Sequence, residues 1–263
     1  MSLDASIREN EAEHLIEFDA VGIRSTWNAD QWMLQGWNWK VSAGDFWLVG
    51  GPAGCGKSEI LSVASGLLKP ARGRLRFFGR EVQDLEPESW LDERLRLGLV
   101  FEDGGRVFQE LTVYENLLLP LNYHGRTKDQ ASHAWIMQVL ESLELASMQH
   151  HVSGRLSRHW KQRLGLARAL ALQPEVLFMD HPLAVIDTHH AHWWVRFVRD
   201  LRAGHWEGGP RSVVIATSDL TPWLADMDRL ALIKDGNWVE MDTADRSSLR
   251  EDACFRSLVT DSI

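Results

Sequence analysis

An α/β fold is predicted by three features of the sequence. Short apolar runs alternate with helical patterns, a glycine-rich loop joins an apolar run to a helix, and the middle of the chain is helical throughout. The chain has 263 residues, of which 44% are hydrophobic, so it can bury one sizeable core. We therefore expect residues 1–263 to form a single domain that carries an inserted lobe.

The first part of the chain predicts strands around one helix. Residues 15–21 alternate apolar and polar side chains, as a half-buried strand does. Residues 46–49 form a continuous apolar run that ends at glycines, which favours a central strand. A helix is predicted after Lys57, and a strand follows at RLRFFG. The predicted apolar positions of that helix are Ile60, Leu61, Ala64, Leu67 and Leu68.

The middle of the chain predicts a helical lobe, with approximate limits at 102–172. The pattern is helical from about residue 112, and one apolar face consists of Trp135, Ile136, Val139, Leu140 and Leu143. Strand patterns return at VLFMD, which ends on Asp180, and at SVVIAT, which ends just before Ser218. A hairpin is predicted around Asp235 and Gly236, because this pair tolerates the positive φ angles of a tight turn.

Composition and charge argue against several classes of protein. The net charge is −9 and no long basic run occurs, which argues against a nucleic-acid partner. Cys55 and Cys254 lack metal-ligand spacing, so a reducing compartment is the simpler interpretation. The first residues are acidic and do not resemble a secretory signal, and no stretch reaches the apolar length of a membrane span. Any membrane association is therefore expected to be peripheral.

The segment GPAGCGKS, residues 51–58, has the spacing of a phosphate-binding loop between a strand and a helix. Gly51, Gly54 and Gly56 allow the backbone to curl so that its N–H groups face a polyphosphate at the helix amino terminus. Lys57 is predicted to bind the β and γ phosphates, and the Ser58 hydroxyl to bind Mg²⁺. The predicted nucleotide contacts also include Cys55 and Glu59. For Cys55 two interpretations remain, a thiol activated by the helix terminus and a passive filler.

Downstream, the chain resembles the ATP-binding subunits of ABC transporters over nearly its whole length. The resemblance is carried by LSRHWKQRLGLARALALQPEVLFMDHPLAVID (residues 156–187), VFEDGGRVFQELTVYENL and VVIATSDL. It implies a P-loop NTPase core of mixed, mainly parallel sheet with N-terminal antiparallel strands and an inserted helical lobe. It also implies that the ligands are ATP and Mg²⁺. Trp27 falls where the family often places an aromatic ring against adenine, although ordinary packing explains an isolated tryptophan equally well.

The resemblance also shows where catalytic groups of the family are replaced. The Walker B aspartate, Asp180, is followed by His181 instead of a glutamate; Glu102 replaces the Q-loop glutamine, and Ser218 replaces the switch histidine. Loss of a general base typically costs about 10²–10⁴ in rate, so slow hydrolysis with intact binding is expected. Ser58, Asp180 and Glu102 remain as expected Mg²⁺ ligands. His181 is an alternative base, because an imidazole accepts protons near neutral pH.

The family signature LSGGQ reads LSRHW in this chain, with Arg158, His159 and Trp160 in place of two glycines and a glutamine. In the family this loop closes over the ATP of the opposite subunit, so side chains there are expected to obstruct the approach unless they turn outward. Two alternatives stay open: Arg158 offers its guanidinium to phosphate, or the three residues form a solvated polar turn. A metal site at His189 and His192 is disfavoured, because no further ligand completes it.

Three functions are compatible with these features. The first is a degenerate energy-coupling subunit that binds ATP, pairs as a homodimer or heterodimer, and docks on a membrane-embedded transporter subunit at the inner face of the cell membrane. The second is a slow ATPase that uses His181 as its base. The third is a cytoplasmic nucleotide-sensing or scaffolding protein without a transport role. The retained Gln162, Arg163 and Arg168 favour the first.

Overall fold

The computed structural model describes residues 14–25, 28, 30–126, 130–184, 186–206 and 208–259, and it confirms the α/β fold class. The strands are β1 (His14–Arg24), β2 (Trp32–Ser42), β3 (Phe46–Gly50), β4 (Arg72–Phe77), β5 (Arg80–Glu81), β6 (Leu97–Val100), β7 (Val176–Asp180), β8 (Ser212–Thr217), β9 (Arg229–Lys234) and β10 (Asn237–Met241). The α-helices are α1 (Lys57–Ala64), α2 (Pro87–Arg94), α3 (Val113–Tyr123), α4 (Gln130–Ser142), α5 (Arg158–Leu170), α6 (Thr188–Arg202), α7 (Arg246–Glu251) and α8 (Ala253–Ser257).

The strands form two sheets. An antiparallel sheet has the order β2-β1-β4-β5, and a mixed sheet has the order β10-β9-β3-β8-β7-β6. In the mixed sheet every pairing is parallel except that of β9 with β10. Its central strands are buried on both faces, which explains why they read as continuous apolar runs.

Alternate side chains of the central strands pack into two different hydrophobic cores. Phe46 and Leu48 of β3 pack with the helices α3 to α6, whereas Trp47 and Val49 pack with α1 and the antiparallel sheet. Helix α1 contacts β1, β7 and β8, so it lies between the two sheets. This placement fixes the amino terminus of α1 at the carboxyl end of β3.

Helices α3, α4 and α5 pack on one another. The predicted apolar face of α4 is confirmed, because Ile136, Val139 and Leu140 are fully buried. Helix α3 begins with a capping box, in which the Thr112 hydroxyl accepts from the Glu115 backbone N–H and the Glu115 carboxylate accepts from the Thr112 N–H. The predicted limits of an inserted lobe, 102–172, stay a prediction.

One detail of the predicted α1 is wrong. The helix ends at Ala64, and Leu67 and Leu68 are 44% and 37% exposed instead of continuing its buried face. The cause is Gly66, whose φ of 71° breaks the helical repeat two residues after the last turn. The predicted hairpin is confirmed: β9 and β10 are joined by Asp235 and Gly236, with φ angles of 47° and 74°.

Candidate nucleotide-binding site

Several predicted site residues lie at one edge of the mixed sheet because they follow the carboxyl ends of adjacent parallel strands. Gly50 pairs with Thr217, Asp180 with Ala216, and Val100 with Met179. The groups that follow these strands therefore lie at the same edge of the sheet: the glycine-rich loop, the segment that contains Glu102, Asp180 with His181, and Ser218. Crevices at this edge are where open α/β sheets bind ligands.

The loop of residues 51–56 has the backbone conformation that a phosphate cradle needs. Gly54 and Gly56 have φ angles of 76° and 101°, which L side chains rarely adopt, and Gly56 is the residue that caps α1. A Cβ on Gly56 would lie 3.2 Å from the Met33 side chain, so the loop also packs closely on β2. The loop thus presents backbone N–H groups at the positive end of a helix.

Lys57 is folded back over this loop. Its Nζ donates to the carbonyl oxygens of Gly51 at 2.7 Å and Pro52 at 2.8 Å, and the residue is 3% exposed. Burial lowers the pKa of Lys57, while the charges of Asp180 and Glu102 oppose that shift. The ammonium group is therefore fixed at the mouth of the loop, where it can also bind an anion.

Asp180 has the properties expected of a metal ligand. It is 7% exposed at the end of β7, and the Ser58 hydroxyl is close enough to its carboxylate to influence its pKa. Its Oδ1 is buried and has no hydrogen-bond partner among the described residues. Burial raises the pKa of Asp180, an effect that the nearby Ser58 hydroxyl opposes. A buried, unpartnered carboxylate oxygen beside a hydroxyl suits Mg²⁺, which prefers oxygen ligands.

Glu102 is held near this cluster by α5. The Gln162 amide Nε2 donates to the Glu102 carbonyl oxygen at 2.8 Å. The segment approaches the helix at a glycine pair, since a Cβ on Gly165 would lie 2.1 Å from the Gly104 carbonyl oxygen. The Glu102 side chain is exposed, and its charge is close enough to influence the pKa of both Lys57 and Asp180. The sequence pattern contained the glycines but did not indicate this contact.

His181 has an unusual backbone conformation for a side chain next to the cluster. Its φ is 44°, and its backbone N–H donates to the Ala216 carbonyl oxygen at 2.8 Å. Burial lowers the pKa of His181, and the Lys57 charge adds to this shift, while the carboxylates of Asp180 and Glu102 oppose it. At neutral pH the ring is therefore predominantly neutral.

The comparisons with known proteins agree with this geometry. A family model described as ABC transporter matches residues 34–184, which include the glycine-rich loop, Asp180 and the helices α3 to α5. The chain belongs to the ABC transporter family. An uncharacterized ABC transporter ATP-binding protein of Mycobacterium tuberculosis is 33% identical over 187 residues, covering 71% of this chain and 54% of the relative. A probable ribonucleotide transport ATP-binding protein of Mycobacterium leprae is 29% identical, covering 62% of this chain and 47% of the relative. The chain thus spans about half the length of these curated relatives.

Solved ABC cassettes share the fold of this chain. The dimeric ATP-binding cassette MJ0796 bound to ADP and Pi has a TM-score of 0.76 at 24% identity, covering 87% of this chain and 98% of the cassette. The protein cbiO1 of Clostridium perfringens, part of an ABC transporter complex, has a TM-score of 0.74 at 20% identity and covers 91% of this chain and 94% of its own. No helix in the described ranges combines the length and apolar character needed to cross a membrane.

The remaining predicted contacts of this ABC protein differ in how far the structure describes them. Ser218 is half-buried and directly follows β8. Glu59 lies in the first turn of α1. The Cys55 Sγ lies 3.8 Å from the Lys57 Nζ, yet burial raises the pKa of the thiol, which favours a passive role. Trp27 lies outside the described residues, so its contact with adenine stays a prediction.

The replaced ABC signature is helical rather than a loop, so the polar-turn alternative is wrong. Ser157 caps α5, and Arg158, His159 and Trp160 form its first turn. Arg158 is exposed, whereas His159 is half-buried and its ring lies beside His190 of α6. Of the two predicted obstructing side chains, Arg158 is therefore the more exposed.

Arg163, cited above only as a retained residue, has a packing role that its position in the sequence did not indicate. It is 2% exposed, and its guanidinium lies 4.6 Å from the Trp160 ring centroid and 3.7 Å from that of Trp193. It also pairs with Glu144 at 2.6 Å, so this one side chain links α5, α6 and the segment after α4. His189 and His192 are exposed on α6, and no group of potential metal ligands forms among the described residues.

Proposed function

We propose that this chain is a nucleotide-binding subunit that holds Mg²⁺ and ATP firmly and hydrolyses ATP slowly or not at all on its own. The observation that carries the proposal is the contrast at one sheet edge. The groups suited to phosphate and metal, namely the loop, Lys57, Ser58 and Asp180, lie close together. Histidine, glutamate and serine occupy the positions that direct water in the family.

The binding step follows from the groups present. The backbone N–H groups of residues 53–56 and the Lys57 ammonium would hold the anionic β and γ phosphates. Ser58 and the Asp180 Oδ1, which has no hydrogen-bond partner among the described residues, would hold Mg²⁺, and this ion would neutralise phosphate charge when bound. Two carbonyl oxygens of the loop hold the Lys57 ammonium beside the proposed phosphate site.

Slow hydrolysis follows from three side chains. The His181 ring lacks the charge and reach of a glutamate, the Glu102 carboxylate repels the γ phosphate, and the Ser218 hydroxyl cannot carry a positive charge to the transition state. The missing base alone would reduce the rate by about 10²–10⁴. Water activation, rather than ligand affinity, is thus the step that should be impaired.

A slow ATPase that uses His181 is the second candidate, and one observation favours it. Because burial and Lys57 lower the pKa of His181, its ring is a neutral proton acceptor at physiological pH. The φ of 44° fixes the backbone of this residue beside Asp180. Under this alternative, phosphate release would be measurable and would disappear in His181→Ala.

Coupling to a membrane-embedded subunit is part of the proposal and is supported by an exposed apolar groove. A cavity of about 250 Å³ lies beside β6 and the segment after α1, and Leu67 and Phe101 on its border are 44% and 41% exposed. The described lining residues include Arg94 and His124 and no carboxylate, so a cytoplasmic helix with an acidic side chain would complement it. Homodimer and heterodimer pairings both remain compatible with this groove.

The proposal is tested on the purified full chain by calorimetric titration with Mg²⁺ and ATP and by phosphate release over the same range. Measurable affinity with phosphate release close to that of buffer supports it. Release that vanishes in His181→Ala supports the slow ATPase. Absence of any Mg²⁺-dependent binding would refute both. Co-purification with a polytopic membrane protein from detergent extracts would separate a transport subunit from a nucleotide-sensing or scaffolding protein.

A further inference from the structure

Residues 252–258, the α8 segment, pack beside two parts of the proposed nucleotide site. The Leu258 carbonyl oxygen accepts from the Leu220 N–H at 2.8 Å. A Cβ on Gly50 would lie 3.2 Å from the Leu258 side chain and 3.3 Å from that of Leu220. Leu258 therefore lies against the last residue of β3, which leads into the phosphate-binding loop, and against the residue two positions after Ser218.

The α8 segment is itself fixed to the mixed sheet at its other end. The Asp252 carboxylate pairs with the Lys234 ammonium at the end of β9, and it also caps α8 by accepting from the Phe255 N–H at 2.9 Å. The side chains of Phe255 and Leu258 are buried in the core. Because a close-packed core resists displacement, the Leu258 carbonyl is a fixed acceptor for Leu220.

The turn of residues 217–221 carries Ser218 and is braced by its own hydrogen bonds. The Asp219 N–H donates to the Thr217 hydroxyl at 3.1 Å, and the Thr221 N–H donates to the Asp219 carboxylate at 2.9 Å. A turn with these internal bonds moves as one piece. Its hydrogen bond to the α8 segment can therefore set the position of the whole turn, including that of Ser218.

The strand order places Ser218 between the two groups to which the proposed function assigns the ligands. Strand β8, which leads into Ser218, lies between β3, which leads into the phosphate-binding loop, and β7, which ends at Asp180. Phosphate in the loop and Mg²⁺ at Asp180 would both lie beside the Ser218 hydroxyl, which can donate one hydrogen bond to an anionic oxygen. The loop would hold the β phosphate of ATP and of ADP alike, whereas only ATP would offer Ser218 a γ phosphate.

We propose that Leu258 is a positioning residue that sets how strongly the site prefers ATP to ADP. Through Leu220 it holds the turn of residues 217–221 where the Ser218 hydroxyl can bind the γ phosphate. An O–H···O bond forms at about 2.5–3.0 Å, so a small shift of the turn is enough to lose it. In Leu258→Ala the space left beside Gly50 and Leu220 would permit such a shift. The inference rests on the proposed function, since it concerns the nucleotide that this site would hold.

Calorimetric titration of the full chain with ATP and, separately, with ADP, each in the presence of Mg²⁺, tests the proposal. The quantity compared is the ratio of the Kd for ADP to the Kd for ATP. In Leu258→Ala this ratio should fall by up to about 10-fold, as expected when one hydrogen bond to a charged group is lost. Leu258→Met nearly conserves volume and should keep the wild-type ratio. The matched control Leu249→Ala makes the same change at a buried position of α7 and should lower the Tm without changing the ratio.

A double-mutant cycle with Ser218→Ala separates an action through Ser218 from a general loosening of the fold. If Leu258 acts through Ser218, Leu258→Ala should not lower the ratio further once Ser218 is alanine. Additive effects would overturn the proposal, as would an equal fall in Leu249→Ala or an unchanged ratio in Leu258→Ala. Leu258→Val serves in the same cycle if Leu258→Ala does not fold. Failure of the wild-type chain to bind either nucleotide would refute the proposed function as well, whereas binding with an additive cycle would refute this inference alone.

Discussion

Replacement of Lys57 by methionine is the sharpest test of the nucleotide site, because it removes one charge while keeping most of the side-chain length. In the structure the residue is 3% exposed, and its ammonium donates to the carbonyl oxygens of Gly51 and Pro52 at 2.7 and 2.8 Å. A hydrogen bond to a charged group contributes about 1.5–3 kcal/mol. Loss of the bond to phosphate should therefore raise the Kd for Mg²⁺ and ATP by about 10-fold to 150-fold.

The assay is calorimetric titration of the full chain, with thermal unfolding measured in parallel. The variant leaves two loop carbonyls without their donor, so a modest drop in Tm without nucleotide is expected and must be separated from the change in affinity. Lys40→Met is the matched control, because Lys40 lies on β2, outside the loop, where it is exposed and pairs with Glu17 of β1. Equal affinity in Lys57→Met and Lys40→Met would refute the assignment of Lys57 to phosphate.

Three further outcomes are expected. Asp180→Asn should remove the Mg²⁺-dependent part of ATP binding, yet without ligand the variant should unfold at an equal or higher Tm. Because burial raises the Asp180 pKa, the ionised carboxylate destabilises the unliganded fold as the pH rises through that pKa. A lower Tm in the variant would contradict this. His181→Glu should raise the rate of phosphate release by up to about 10²-fold. This is less than the full contribution of a general base, because Glu102 and Ser218 remain. An unchanged rate in a variant that still binds ATP would show that the missing base does not limit hydrolysis. Gly165→Ala should lower the free energy of unfolding, measured by chemical denaturation, by about 1–3 kcal/mol, because its Cβ would lie 2.1 Å from the Gly104 carbonyl oxygen. An unchanged free energy of unfolding would mean that α5 can move away from the segment that contains Glu102.

The arrangement of the site could be anticipated only in part. A motif or a continuous apolar run identified three features of the site to within a few residues: the loop at residues 51–58 and the ends of the strands VLFMD and SVVIAT. The approach of Glu102 was not, because it depends on Gln162 binding its carbonyl oxygen across 60 residues of chain. The exposure of Leu67 was also missed, because the periodic pattern continues through Gly66 although the helix does not.

The sequence by itself determined the α/β fold class, the strand, glycine-rich loop and helix around residues 51–58, and which residues stand where the family resemblance places catalytic groups. These depend on local periodicity and on residue spacing, which act over a few residues. Only the tertiary structure decided where the replaced side chains point. His159 lies beside His190 and Arg163 lies between two tryptophans because α5 and α6 pack side by side, and such packing is set by contacts between segments that are distant in sequence.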